Sequence, residues 1–118
     1  MKRVVVESPY AGNIICNLEY AKMCVLDCLL RGEAPIASHL LFTQPGVLDD
    51  NIPEQRKLGI EAGHSWIEVA NYVVVYTDFG ISKGMEQGME RAKSNIIPVV
   101  FRNLPQHLVE ELKRQYPD

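Results

Sequence analysis

The stretch YVVVYT, residues 72–77, is a near-continuous run of β-branched and aromatic residues. A strand with one wet face alternates apolar and polar positions, whereas a strand covered on both faces reads as an unbroken apolar run. Residues 72–77 therefore predict an inner strand of a parallel sheet with helices on both sides. The flanks agree. Upstream, Pro53 suits a first helical turn, where its missing N–H costs nothing, and Glu54 sits at the positive end of a helix that should run to about Ala70. Downstream, GISKGMEQGMERA (80–92) reads as a turn followed by a helix, IIPVVF (96–101) as another strand, and LPQHLVEELKRQYP (104–117) as a closing amphipathic helix.

The first third repeats the pattern. RVVVES (3–8) is a short buried strand, SPYAGN (8–13) a turn, and the helix that follows has Asn13 as N-cap, apolar residues at helical spacing, and Gly32 where a C-terminal glycine belongs. APIASHLL (34–41) reads as a second strand and FTQPGVLDDN (42–51) as a long loop with a Pro-Gly turn. Strands and helices thus alternate along residues 1–118, which predicts one α/β domain: a flavodoxin-like or Rossmann-like three-layer sandwich with a parallel sheet of four or five strands and right-handed crossovers.

Composition narrows the function classes. Of the 118 residues, 47% are apolar and 23% charged, the net charge is −3, and the 12 Lys and Arg are scattered. That is a globular chain with no basic stripe for a DNA or RNA duplex. Its longest apolar runs fall short of a bilayer span and the N-terminal one is too short for a signal-peptide core, so a cytoplasmic protein without membrane contact is expected. Cys16, Cys24 and Cys28 all fall in one helix, with no C-x-x-C and no clustered His, so they are expected to be core thiols. No metal and no cofactor is anticipated.

In such a sheet, loops leaving the carboxyl ends of the strands converge on a ligand site. SPYAGN offers Ser8, Pro9, Tyr10, Gly12 and Asn13, either as a hydroxyl and N–H cradle for an anion or simply as a capped turn; it has neither dinucleotide-fold nor P-loop glycine spacing. His39 follows the second strand as a base, a hydrogen-bond donor or a structural residue. Asp49 and Asp50 read as helix caps. Glu61 and His64 nearly share a helix face, as a solvated pair or with Glu61 as an acid in the pocket. Asp78 ends the central strand, the best position for a reactive carboxylate. Ser82, Lys83 and Gly84 form a helix start suited to a phosphate or carboxylate. Gly84 and Gly88 pose a question, because each interior helical glycine costs about 1 kcal/mol against alanine.

VVVESPYAG, SHLLFTQPGVLDD, LGIEAG and YTDFGISKGMEQGMERAKSNIIPVVF together resemble the nucleoside 2-deoxyribosyltransferase-like superfamily, in particular a small bacterial and phage branch. The resemblance covers nearly the whole chain. It implies enzymes that open the N-glycosidic bond of nucleosides or nucleotides, a glutamate on the helix after the third strand attacking the anomeric carbon. It implies pocket roles for Ser8, Pro9 and Tyr10, a ribose-side acid near Glu61, and a small-residue turn at Ser82 and Gly84. It places Gly88 where the nucleophilic glutamate belongs, and Glu86 and Glu90 lie about 200° around the helix from that point. The expectation is a protein that binds a nucleoside or nucleotide without its usual nucleophile, a phage protein sequestering a nucleotide-derived signal being one setting. The alternative is an N-glycosidase or deoxyribosyltransferase that uses Asp78 or Glu61. The resemblance also implies a homo-oligomer.

Overall fold

In the computed structural model, which describes residues 1–117, the chain runs β1 Lys2–Glu7, α1 Ile14–Leu30, β2 Glu33–Ile36, α2 Ser38–Leu41, α3 Pro53–Ile67, β3 Tyr72–Tyr76, α4 Lys83–Ser94, β4 Val99–Arg102 and α5 Gln106–Gln115. All strand pairings are parallel and the order is β2-β1-β3-β4. The result is an α/β sandwich of Rossmann-like type, with the two apolar strands β1 and β3 innermost.

Period-two alternation sends successive side chains to opposite faces. Val4, Val6, Val74 and Tyr76 meet Tyr20, Cys24, Cys28, Val109 and Leu112 of α1 and α5. Val5, Val73 and Val75 meet Ile67, Met85 and Ala92 of α3 and α4. The three cysteines are buried on α1 and none forms a disulfide among the described residues. A polar cluster is folded into the first layer: Glu33 holds Arg102 at 2.5 Å and accepts from the Tyr72 hydroxyl, while Tyr76 donates to Asp27 at 2.7 Å. The Arg102 guanidinium, helped by Tyr72, holds the Glu33 carboxyl down at about 2.

Three boundaries differ from the sequence reading. APIASHLL is not one strand: β2 ends at Ile36, and Ser38–Leu41 form α2, whose turn closes when the Leu40 and Leu41 N–H groups donate to the Ala37 carbonyl at 3.1 Å. Packing on α3 accompanies the change, since an added Cβ at Gly63 would lie 2.9 Å from Ser38 Cβ. The helix begun at Pro53 ends at Ile67, before a turn in which Ala70 N–H donates to the Ile67 carbonyl at 3.1 Å. The last strand begins at Val99 rather than Ile96. Ile96 wraps the end of α4 at φ 57°, and the Ile97 N–H donates to the Ala92 carbonyl at 2.8 Å.

Candidate functional site

The chain leaves β1 toward β2 on one side and leaves β3 toward β4 on the other, so the carboxyl ends of β1 and β3 flank a topological switch point. A cavity of about 290 Å³ opens there. One wall is the end of β1 and its turn, with Glu7, Ser8 and Tyr10; the opposite wall is the first turn of α4, with Ser82, Lys83 and Gly84. Phe42, Leu48 and Ile60 add apolar surface from the α2–α3 segment. That volume is near the lower end of the roughly 300–1,000 Å³ typical of small-molecule sites.

Glu7 is the residue the sequence reading missed. Alternation that turns Val5 toward α4 turns Glu7 the same way, and its carboxyl lies over Gly88. A Cβ built on Gly88 would stand 2.7 Å from Glu7 Cδ and 2.7 and 2.8 Å from its two oxygens. Among the described residues nothing forms a hydrogen bond or ion pair with this carboxyl. Burial pushes it from 4.5 up to about 8, because the charged form is poorly solvated there.

Ser8, just past the end of β1, meets His39 of α2, with Ser8 Oγ 2.7 Å from His39 Nε2. Burial pulls His39 down to about 4, so the imidazole is neutral near pH 7 and the pair is an uncharged hydrogen-bonding unit. Ser82 caps α4 by accepting from the Met85 N–H at 3.3 Å. Lys83 begins the helix at the cavity wall. At the mouth, Arg56 and Asp50 pair at 3.0 Å. His64 also lines the cavity and is lowered by burial and by the nearby charge of Arg91.

Of the residues singled out in the sequence, Ser8, Tyr10, His39, Ser82, Lys83 and Gly84 line this cavity. Pro9, Gly12 and Asn13 do not. Pro9 is buried, Gly12 holds the turn at φ 99°, and Asn13 accepts from the Cys16 N–H at 3.4 Å as the cap of α1. Gly88 is the floor beneath Glu7. The two carboxylates anticipated as acids, Asp78 and Glu61, do not line this cavity. Asp78 accepts from the Tyr20 hydroxyl at 2.7 Å and from the Leu104 N–H at 3.0 Å, so its carboxylate ties β3 to α1 and to the segment before α5. Glu61 is exposed on α3, outside the cavity, among Lys57, Ile60 and Arg56. Among the described residues no cluster of three or more His, Cys, Asp or Glu could hold a metal, and no helix is long and apolar enough to cross a membrane.

The model of one protein family matches residues 2–102, from the first strand to the end of the fourth. The chain belongs to that family, the domain of unknown function DUF7768. Within this DUF7768 domain, every element that lines the cavity falls inside the matched segment. No curated protein matches the sequence at a significant level. Among solved structures, the chain is similar to the 2-deoxyribosyltransferase of the psychrotolerant bacterium Bacillus psychrosaccharolyticus, described as a biocatalyst for synthesis of antiviral and antitumoral nucleosides. The TM-score is 0.60 at 11% identity, covering 92% of this chain and 80% of that one. The likeness is one of fold.

Proposed function

We propose that this DUF7768 domain binds a nucleoside- or nucleotide-type ligand in the cavity between the ends of β1 and β3. The observation that carries the reading is the makeup of that cavity. A neutral Ser8–His39 pair and the Glu7 carboxyl supply hydrogen bonds on one wall, Phe42, Leu48 and Ile60 give flat apolar surface, and Lys83 stands at a helix start opposite. A base suits the apolar surface near Tyr10, sugar hydroxyls suit Ser8–His39, and a phosphate suits Ser82 and Lys83. The fold shared with a 2-deoxyribosyltransferase supports the same ligand class.

The test is a melting experiment with a panel of nucleosides and nucleoside monophosphates. A ligand at 100 times its dissociation constant adds about 2.7 kcal/mol of stability. A rise in Tm with members of this panel and not with unrelated anions is expected, and Ser8→Ala or Lys83→Ala should reduce it. No shift with any compound would contradict the proposal.

A second reading, N-glycoside cleavage, is favoured by one observation: a carboxyl fills the space above Gly88 although residue 88 has no side chain to put there. Sequestration of a nucleotide-derived signal is the outcome if the bound ligand is left intact. Assembly as a homo-oligomer belongs to the same proposal. Leu58, Trp66 and Val69, exposed along α3 and just beyond it, offer an apolar surface for it. Sedimentation at micromolar concentration checks it.

A further inference from the structure

We propose that the ligand of this domain extends past the cavity mouth through a pyrophosphate and that Arg56 and Lys57 of α3 hold the extension. The ligand class is then a nucleoside diphosphate or a pyrophosphate-linked dinucleotide. The inference rests on the nucleoside or nucleotide reading above and adds a second binding site to it. That site is a second hollow. Pro53, Arg56, Lys57, Ile60 and Glu61 surround about 320 Å³ of open space on α3. Arg56 and Ile60 also line the cavity between the ends of β1 and β3, so the same two side chains wall both spaces.

The helical period puts them there. At about 100° per residue, Arg56 and Ile60 point within about 40° of Ile67, the side chain by which α3 packs on the core. Ile67 is fully buried, whereas Arg56 and Ile60, about three and two turns earlier, are exposed and overhang the cavity. Pro53, Lys57 and Glu61 form the next row outward at spacing i, i+4, i+8. A ligand that fills the cavity and leaves by its mouth therefore meets the Arg56–Ile60 row first and the Lys57 row next.

Charge favours an anion on this path. Lys83 in the cavity and Lys57 in the hollow form no ion pair among the described residues. Arg56, between them, is held only by Asp50 at 3.0 Å, in a pair exposed enough to be worth little by itself. A phosphoryl oxygen can take the guanidinium from Asp50, and the planar fork of arginine matches phosphate with two hydrogen bonds. Glu61 brings one carboxylate to the hollow, against two cations. Pro53 and Ile60 leave apolar surface there for a second sugar or base. Size agrees: the cavity alone, at about 290 Å³, lies near the lower end for small-molecule sites, and with the hollow it reaches well into the range of roughly 300–1,000 Å³.

The experiment measures dissociation constants by titration calorimetry for the matched pairs AMP and ADP, GMP and GDP, and UMP and UDP, together with diadenosine pyrophosphate. The quantity read is the ratio of diphosphate to monophosphate affinity within each variant, so that a general loss of stability cancels. For the wild type, the diphosphate of the preferred base is expected to bind about 10-fold or more tighter, the scale of one charge-assisted hydrogen bond. Arg56→Ala and Lys57→Ala should each bring the ratio down toward one. Asp50→Asn, which frees the guanidinium, should raise it. A wild-type ratio near one overturns the inference and leaves the binding reading standing where the monophosphates bind. A ratio that stays high in both Arg56→Ala and Lys57→Ala also overturns it, for the extension is then held elsewhere. Binding of none of these compounds overturns both readings.

Discussion

Glu7 and Gly88 explain each other at the level of single residues. From sequence, Gly88 reads as a vacancy left by a lost glutamate; in the fold, a carboxyl from a different strand occupies that vacancy. Its titration has a consequence for stability. A carboxyl raised from 4.5 to about 8 on folding stabilises the native state fully below the lower value, and that contribution is lost as pH rises through the upper one. Melting of the wild type and of Glu7→Gln across pH 4.5 to 9 should therefore diverge, the wild type losing ground to the variant as pH rises toward 8. His39 has the opposite sign. Lowered to about 4, it adds stability above its ordinary 6.5 that is lost as pH falls through 4, so His39→Gln should flatten the acid side of the curve. Asp78→Asn is expected to cost about 1–3 kcal/mol in urea unfolding, through the Tyr20 and Leu104 hydrogen bonds it weakens, without altering ligand-induced Tm shifts.

At the level of elements, strands and helices were legible wherever local pattern and long-range packing agree. Residues 72–77 read as an inner strand and Tyr72–Tyr76 form one, and Asn13 and Ser82 cap α1 and α4 through their side chains. Legibility failed where a distant contact decides. Ser38–Leu41 is apolar enough to prolong β2, but it turns into α2, packed on Gly63, 25 positions beyond Ser38, which no local propensity registers. Gly63→Ala is thus expected to destabilise by about 1–3 kcal/mol, as overpacked sites do. Ile96 is the reverse case, a β-branched residue at φ 57° that is almost fully exposed. Ile96→Gly should relieve left-handed strain at little packing cost and raise stability by about 1 kcal/mol, read as a shifted urea midpoint with unchanged slope.

Across the whole molecule, the strand order β2-β1-β3-β4 brings together at one edge of the sheet segments far apart in the chain. Alternation of strands and helices alone points to the loops at the carboxyl ends of the strands, and Ser8, Tyr10, His39, Ser82, Lys83 and Gly84, read from those loops, line the cavity there. Glu7 was hidden because it belongs to a strand, and only the face it takes relative to α4 reveals it; counting by twos from Val5 would have found that face. Asp78, also read from its loop, does not line the cavity. Its position at the end of β3 is right for a site, but the fold brings Tyr20 and the Leu104 N–H to it, and they hold its carboxylate outside the cavity. The account as a whole turns on a protonated, unpartnered carboxyl at the switch point. A ¹³C NMR titration of the Glu7 side-chain carboxyl, assigned by its absence in Glu7→Gln, measures that property without a ligand. A midpoint near 8 is the expected result. A midpoint at the ordinary 4.5 would contradict it, for Glu7 would then be a solvated anion with no proton to give at neutral pH.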